Sequence, residues 1–342
     1  MSRLVFAPFD PIRDREVRRL FKEYPHKDYQ LKRMGVSKES MADYLETTLR
    51  APGVQSIALS DDGKLVGLIA LQALPWMSEH FGLRMYAVPH LLAEGGPLVR
   101  ARLVRYVMEE LHEVDFLDCR IAVDDVYSAQ ALEAAGFRYV GTEVYLGQSL
   151  APHKPPEMPP DLEIRKSVRA DRRQMLEIAE DTHVHNRFAY DPIIQENLAR
   201  SLYRRLVENC FDQEQFTVLV ARSRGAVEGF IVCKLNNTFY QVVGKRTGSL
   251  DFVAVRPGTR NKGLGAALNR AAVHMMAQEG VEYVAVRTLA SNYPALRITF
   301  NTGFAITSTS LHFHRWIHRP KTAYHVGENA IPRNIARFAQ SG

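Results

Sequence analysis

Between Leu250 and Met276 the chain reads LDFVAVRPGTRNKGLGAALNRAAVHMM. An apolar run ends in a loop carrying Pro257, Arg260, Lys262, Gly263 and Gly265, and an amphipathic run follows. A strand feeding a glycine loop and then a helix is an anion site by construction. The first amides of the helix have no partner within it, and its dipole places roughly half a positive charge at that end. The amides around Asn261, Lys262, Gly263, Leu264, Gly265 and Ala266 are the expected donors. A P-loop requires lysine after its last glycine and then Ser or Thr, whereas here Lys262 precedes Gly263. A dinucleotide fingerprint requires a third small residue where Leu268 stands. Both patterns fail, leaving RxxGxG, which serves equally as an anion cradle or a plain tight turn.

Other residues could do chemistry nearby. Asp251 stands at the start of the expected strand and is a candidate base, with an exposed strand-end carboxylate as its bland alternative. In THVHNRFAYDP, residues Arg187, Tyr190 and Asp191 could line an acceptor site or form a helix-terminal ion pair. His312 and His314 in LHFHRW share one face of an expected strand, and His183 and His185 have the same spacing. No carboxylate or third histidine lies close to His312 and His314 in sequence, and His183 and His185 are read with the same caution, so no metal site is assigned. Cys119, Cys210 and Cys233 are widely spaced and odd in number, which reads as buried or free thiols in a reducing compartment.

The elements that must position these residues repeat. Five prolines among residues 152–160 mark a stiff linker, 151–160. It separates residues 1–150 from 161–317, with a tail at 318–342, and 342 residues predict two domains at ~150 each. Each half carries a hairpin signal, around Asp62-Gly63 and around Arg224-Gly225. Each also carries a helix closing on a glycine, Gly136 or Gly303, with Phe137 or Phe304 re-entering a strand. Forty residues before those glycines stand Gly96 and Gly263, so the repeat runs without a gap between them. In that alignment Arg260–Gly265 faces Ala93–Leu98, where Glu94 and Pro97 are poor company for a phosphate. The first half is thus expected to be a degenerate copy. Leu98, Leu103, Val107 and Leu111 have the spacing of a helix's core face.

With 46% hydrophobic and 24% charged residues the chain has the composition of globular protein. A net charge of +6 suits a polyanionic cosubstrate as well as simple solubility, and no nucleic-acid-binding pattern accompanies it. No run of eighteen apolar residues and no signal-peptide pattern occurs, so neither membrane nor nucleic acid is expected as a partner and a cytoplasmic location is.

The loop, together with SNYPALRITFNTGF downstream, resembles the GNAT acetyltransferase superfamily over roughly residues 161–317. Its second signature, NxxAxxLYxxxGF, is matched by Asn292, Ala295, Gly303 and Phe304. The resemblance implies an α/β fold of two tandem domains, each a mixed sheet flanked by helices. It implies an acetyl-CoA-dependent N-acetyltransferase in which Phe252, Val253 and Val255 lie along the pantetheine arm. The loop amides, with Asn292, complete the CoA contacts, and an amide near Val253 holds the oxyanion. Where the signature has its tyrosine acid, this chain has Thr299, with Tyr293 as the nearest other hydroxyl in sequence. LPWMSEHFG and THVHNRFAYDP further resemble the TDP-fucosamine acetyltransferases, which implies a nucleotide-linked amino sugar as acceptor. Mycothiol synthase is a second tandem precedent with another amine. The alternatives are another amine acceptor, such as an aminoglycoside, an amino acid or a protein, or a weakly catalytic CoA-binding regulator. A homodimer is left open.

Overall fold

The computed structural model describes residues 4–10, 16–23, 29–150, 162–182, 186–211 and 213–318. The expected linker at 151–160, the tail beyond His318, and His183 and His185 lie outside them. The strands are β1 Leu4–Pro8, β2 Val54–Asp61, β3 Lys64–Ala73, β4 Met85–Ala93, β5 Phe116–Ala122 and β6 Arg138–Ser149. Then come β7 Glu163–Lys166, β8 Phe216–Ser223, β9 Ala226–Leu235, β10 Thr247–Val255, β11 Tyr283–Leu289 and β12 Ala305–Trp316. The helices of the first half are α1 Val17–Glu23, α2 Tyr29–Arg33, α3 Lys38–Leu49, α4 Pro75–Phe81, α5 Pro97–Glu110 and α6 Val126–Ala134. Those of the second are α7 Arg172–Glu180, α8 Glu196–Cys210, α9 Asn237–Val243, α10 Leu264–Gln278 and α11 Tyr293–Asn301.

The repeat is visible element by element. Both expected hairpins form, turning on Asp62-Gly63 and Arg224-Gly225, all four at positive φ, as a two-residue turn of the primed type requires. Gly136 and Gly303 take the left-handed conformation after α6 and α11. The copies differ in length at one telling place. Eight residues, 256–263, join β10 to α10, whereas three, 94–96, join β4 to α5. The ungapped comparison of the two loops therefore needs correcting: the first half lacks most of the loop rather than carrying it with substitutions. Leu98 is also corrected, being 73% exposed, while Leu103 and Val107 of the same stripe are buried.

All twelve strands form one sheet in the order β1-β2-β3-β4-β5-β12-β6-β11-β10-β9-β8-β7. The halves are joined by an exchange of final strands. β5 pairs with β12 rather than β6, β11 pairs with β6 rather than β12, and β6 and β12 pair with each other. Alternation of side chains then gives the sheet two distinct faces. Helices α5, α6 and α10 cover one, packing on Leu59, Leu117, Phe313, Leu146 and Val286. The other is covered by α1 and α3, by α4 with α8, by α7 with α8, and by α2 with α9. All three cysteines are free and buried.

Candidate active site

Strand β10 is parallel to β11 only from Thr247 to Leu250, opposite Tyr283 to Val286. From Phe252 to Val255 it pairs with β9 alone, after a bulge between Leu250 and Phe252. The two strands therefore part, and their facing edges leave a split through the sheet. Asp251 is not at the strand's start, as its sequence suggested, but at that bulge, exposed and accepting a hydrogen bond from the Ser249 hydroxyl. A bulge re-aims a side chain at the mouth of a site.

Below the split on the α10 face lies the long loop. Asn261 and Gly263 both take positive φ, and Gly263 is the N-cap of α10 with no side chain capping the helix. The first-turn amides of a fifteen-residue helix are thus left without a side-chain acceptor, beside Arg256, Arg260 and Lys262. Arg260 is pinned across the loop, donating to Val255 O at 3.3 Å and to Asp181 O at 3.1 Å. Lys262 is exposed and donates to Gly258 O. Leu264 is buried and anchors the helix, and Ala266 is half-buried. At Gly265 the packing is close: a Cβ there would stand 2.8 Å from Ile298 Cδ1 of α11, and the end of that side chain would have to shift. At Gly263 the space is open and only the positive φ asks for glycine. In the first half, Glu94 is tied to Arg19 and Lys64, and Pro97 begins the helix.

The signature residues of α11 are turned inward. Asn292 caps the helix, accepting from Ala295 N and donating to Thr288 Oγ1. Thr299 is 2% exposed and its hydroxyl donates to Ala295 O at 2.7 Å. Its expected service as proton donor is therefore not what its placement favours, since the hydroxyl is committed to its own helix. Tyr293 is exposed in the first turn of α11.

On the opposite face the exchanged strands bring together a polar row that sequence reasoning missed. Asp118 and Arg120 of β5, His312 and His314 of β12, Glu143 and Tyr145 of β6, and Arg287 of β11 all point that way. Glu143, 8% exposed, receives His312 Nε2 at 3.0 Å, Arg120 Nη1 at 3.4 Å and Arg287 Nε at 3.5 Å, all on Oε2. Burial acts to raise its pKa, but the His312 hydrogen bond and the two guanidiniums outweigh it and hold the carboxyl well below its ordinary range. Burial lowers the His312 pKa against the pull of Glu143, so this imidazole is neutral near pH 7. The carboxylates that sequence proximity failed to offer these histidines come from β6, for His312, and from the end of the turn before α8, for His314. Their separations, 120 to 170 positions along the chain, explain why no local pattern betrayed them.

A short 3-10 turn, Arg187–Tyr190, roofs this row with α8. Arg187 is not a free acceptor ligand, as one reading had it; it donates Nε to Asp118 Oδ2 at 2.9 Å, joining the halves. Against burial, Arg187 and both histidines hold the Asp118 pKa down to about 2. Asp191 is buried, accepting from His314 Nδ1 at 2.8 Å, Trp316 Nε1 at 2.9 Å and Ile193 N at 3.0 Å, and serves as an interior anchor. Tyr190 remains partly exposed, its hydroxyl 2.9 Å from Ser291 Oγ just after β11. Tyr203 of α8 stacks on Phe252 of β10 at 4.6 Å between ring centres, and burial pushes its pKa up to about 12. Val253 and Val255, on the open stretch of β10, pack against the α10-side core.

Residues 173–304 match the model of the Acetyltransferase (GNAT) family. The chain carries a GNAT acetyltransferase domain. Its activity is acyl-CoA-dependent N-acetyl transfer, and the family uses acetyl-CoA as cosubstrate. Over 290 residues the chain is 23% identical to the spore coat polysaccharide biosynthesis protein SpsD of Bacillus subtilis, spanning 82% of this chain and 96% of that one. The fold is shared with a GCN5-related N-acetyltransferase from Sphaerobacter thermophilus, at a TM-score of 0.65 and 16% identity, over 93% and 96% of the two chains. A tandem GNAT protein from the clavulanic acid biosynthesis pathway superposes at a TM-score of 0.56 and 14% identity, over 93% and 100%. Among the described residues no helix is long and apolar enough to cross a membrane, and no group of three or more His, Cys, Asp or Glu side chains is arranged to hold a metal ion.

Proposed function

We propose that the chain transfers an acetyl group from acetyl-CoA to the primary amine of a nucleotide-linked amino sugar. The observation that carries the CoA half of this reading is the open split between β10 and β11 with the uncapped α10 behind its eight-residue basic loop. In this reading the amides from Asn261 to Ala266 hold the pyrophosphate, and Arg260 stiffens the loop from beneath. The pantetheine arm lies along Phe252, Val253 and Val255, whose outer edge lacks a strand partner, and an amide near Val253 receives the oxyanion. The first half, with its three-residue connection, holds no CoA and contributes β6 to the other half's cleft.

The acceptor approaches from the opposite face, under Tyr190 and Tyr203. Its ammonium must lose a proton before nitrogen attacks the thioester carbonyl. Asp251 at the bulge takes that proton through water. Collapse of the tetrahedral intermediate breaks the C–S bond; the attacking nitrogen gives its remaining extra proton to water, and the thiolate takes a proton from solvent or from Tyr293, which water then reprotonates. The amino sugar is supported by the likeness of Leu74–Gly82 and Thr182–Pro192 to TDP-fucosamine acetyltransferases, and by a polysaccharide-biosynthesis relative. Incubation with acetyl-CoA and a panel of amines, following free thiol, tests it. Turnover confined to amines that are not sugars would overturn the acceptor assignment.

A further inference from the structure

Arg120 and Arg287 occupy the same position in the two copies, one on β5 and one on β11, and each is 167 residues from the other in a repeat that keeps this offset from α5 to β12. The exchange of β6 and β12 places both on the acceptor face, three strands apart, with their guanidiniums leaning toward each other. Both reach the same carboxylate oxygen, Glu143 Oε2, through single contacts of 3.4 and 3.5 Å. Tyr145, beside Glu143 on β6, engages Arg120 through its hydroxyl and supports the charge of Arg287.

These contacts leave most of the donors unused. A guanidinium carries five N–H groups in a planar fork, and neither contact to Glu143 is the two-pronged arrangement that would satisfy it. The side chains are 37% and 50% exposed, although Glu143 between them is almost covered. One of the two positive charges is balanced by Glu143. The other has no ion-pair partner of its own among the described residues, and Asp251 acts on Arg287 only through its longer-range field. A fold does not need this arrangement: the position of Glu143 in the repeat is Ser310 in the other copy, and that of Tyr145 is His312.

We propose that Arg120 and Arg287 form an oxyanion clamp for the acceptor, selecting amines that also carry a phosphate or carboxylate group. The clamp is assembled from both halves, which gives the first half a substrate-facing part in a reaction whose cosubstrate is held by the second. The acceptor's anion bridges the two heads while its ammonium faces Asp251, so a zwitterionic molecule meets complementary charge at both ends. This inference rests on the amine-acetylating reading above and narrows its acceptor.

The test compares kcat/KM for UDP-glucosamine, glucosamine 1-phosphate and muramic acid with that for glucosamine, at constant ionic strength. The parent is expected to prefer at least one charged amine by ~10- to 100-fold, as charge-assisted hydrogen bonds to a phosphate or carboxylate require. The first two compounds report a phosphate preference and the third a carboxylate preference. Arg120→Gln and Arg287→Gln should each bring the preferred ratio close to one, and Arg→Lys at either site should restore part of it. Acetyl-CoA affinity by calorimetry shows that the variants are folded. If they are not, competitive inhibition of the parent by inorganic pyrophosphate against the amine, weakening with added salt, is the expected substitute. A parent ratio near one, a ratio that survives both substitutions, or no such inhibition overturns the clamp while leaving amine acetylation standing. If the parent turns over no amine, that reading fails separately. The clamp is then judged by direct binding of UDP-glucosamine and muramic acid, which must occur in the parent and be lost in both variants.

Discussion

Replacing Gly263 separates backbone strain from charge at the proposed pyrophosphate site. Nothing lies within 4 Å of where a Cβ would stand, so the substitution meets no steric wall. The residue's φ of +79° is the remaining obstacle. Asparagine tolerates the left-handed region better than most residues, and either Asn or Asp there costs on the order of 1 kcal/mol of stability. The two variants share size and shape, so the difference between them in CoA affinity is electrostatic. A carboxylate ~5 Å from a phosphate charge, in a half-solvated site with an effective dielectric constant of ~40, is repelled by about 1.7 kcal/mol. That corresponds to ~15- to 20-fold in Kd. Calorimetry with CoA should therefore show Gly263→Asp binding more weakly than Gly263→Asn by that factor, with the gap shrinking as salt is added. Gly96→Asp is the control: its φ is ordinary, its Cβ site is open, and Asp is a good N-cap, so CoA affinity should not move and thermal stability should hold or rise. Equal affinities for the two Gly263 variants would refute the placement of the pyrophosphate at this helix.

Thr299→Val should leave kcat within about threefold, because the hydroxyl already serves Ala295 O; a ~10- to 100-fold loss at constant CoA affinity would restore it as the proton donor. Residues 1–150 and 161–342 expressed separately should each fail to give a cooperative monomer, since β5 and β11 each lose the strand that pairs with them. Co-expression should recover a complex, and a well-folded isolated half by heteronuclear NMR would contradict this. His90 is buried and its pKa is lowered to about 4 by that burial. Its neutral form is favoured by the folded state, so stability should fall as pH drops from about 6.5 to about 4, by ~3 kcal/mol in total, and then level off for this group. His90→Gln should flatten that part of the Tm profile, and an unchanged slope would show that His90 does not set it. Arg187→Ala should cost ~3–5 kcal/mol by chemical denaturation, because Asp118 is left as a buried charge without its cation.

Much of this protein was legible in one dimension. Local physics writes the hairpin turns at Asp62-Gly63 and Arg224-Gly225, the helix stops at Gly136 and Gly303, and the uncapped helix after Gly263. Each is a matter of neighbours in sequence and of which residues tolerate positive φ. The repeat and the long basic loop are equally sequence properties. Tertiary structure alone decided which strand lies beside which. The exchange of β6 and β12 depends on pairing edges more than a hundred residues apart, and two similar strands carry no local mark saying which sheet position each will take. From that exchange follow the meeting of Glu143 with His312, Arg120 and Arg287, and the tie of Arg187 to Asp118. It also decided the fates of individual candidates. Asp191 became an interior anchor because His314 and Trp316 arrive on a strand lying against the other half. Thr299 turned inward because a helical hydroxyl finds the carbonyl four residues back before it finds anything across a cleft.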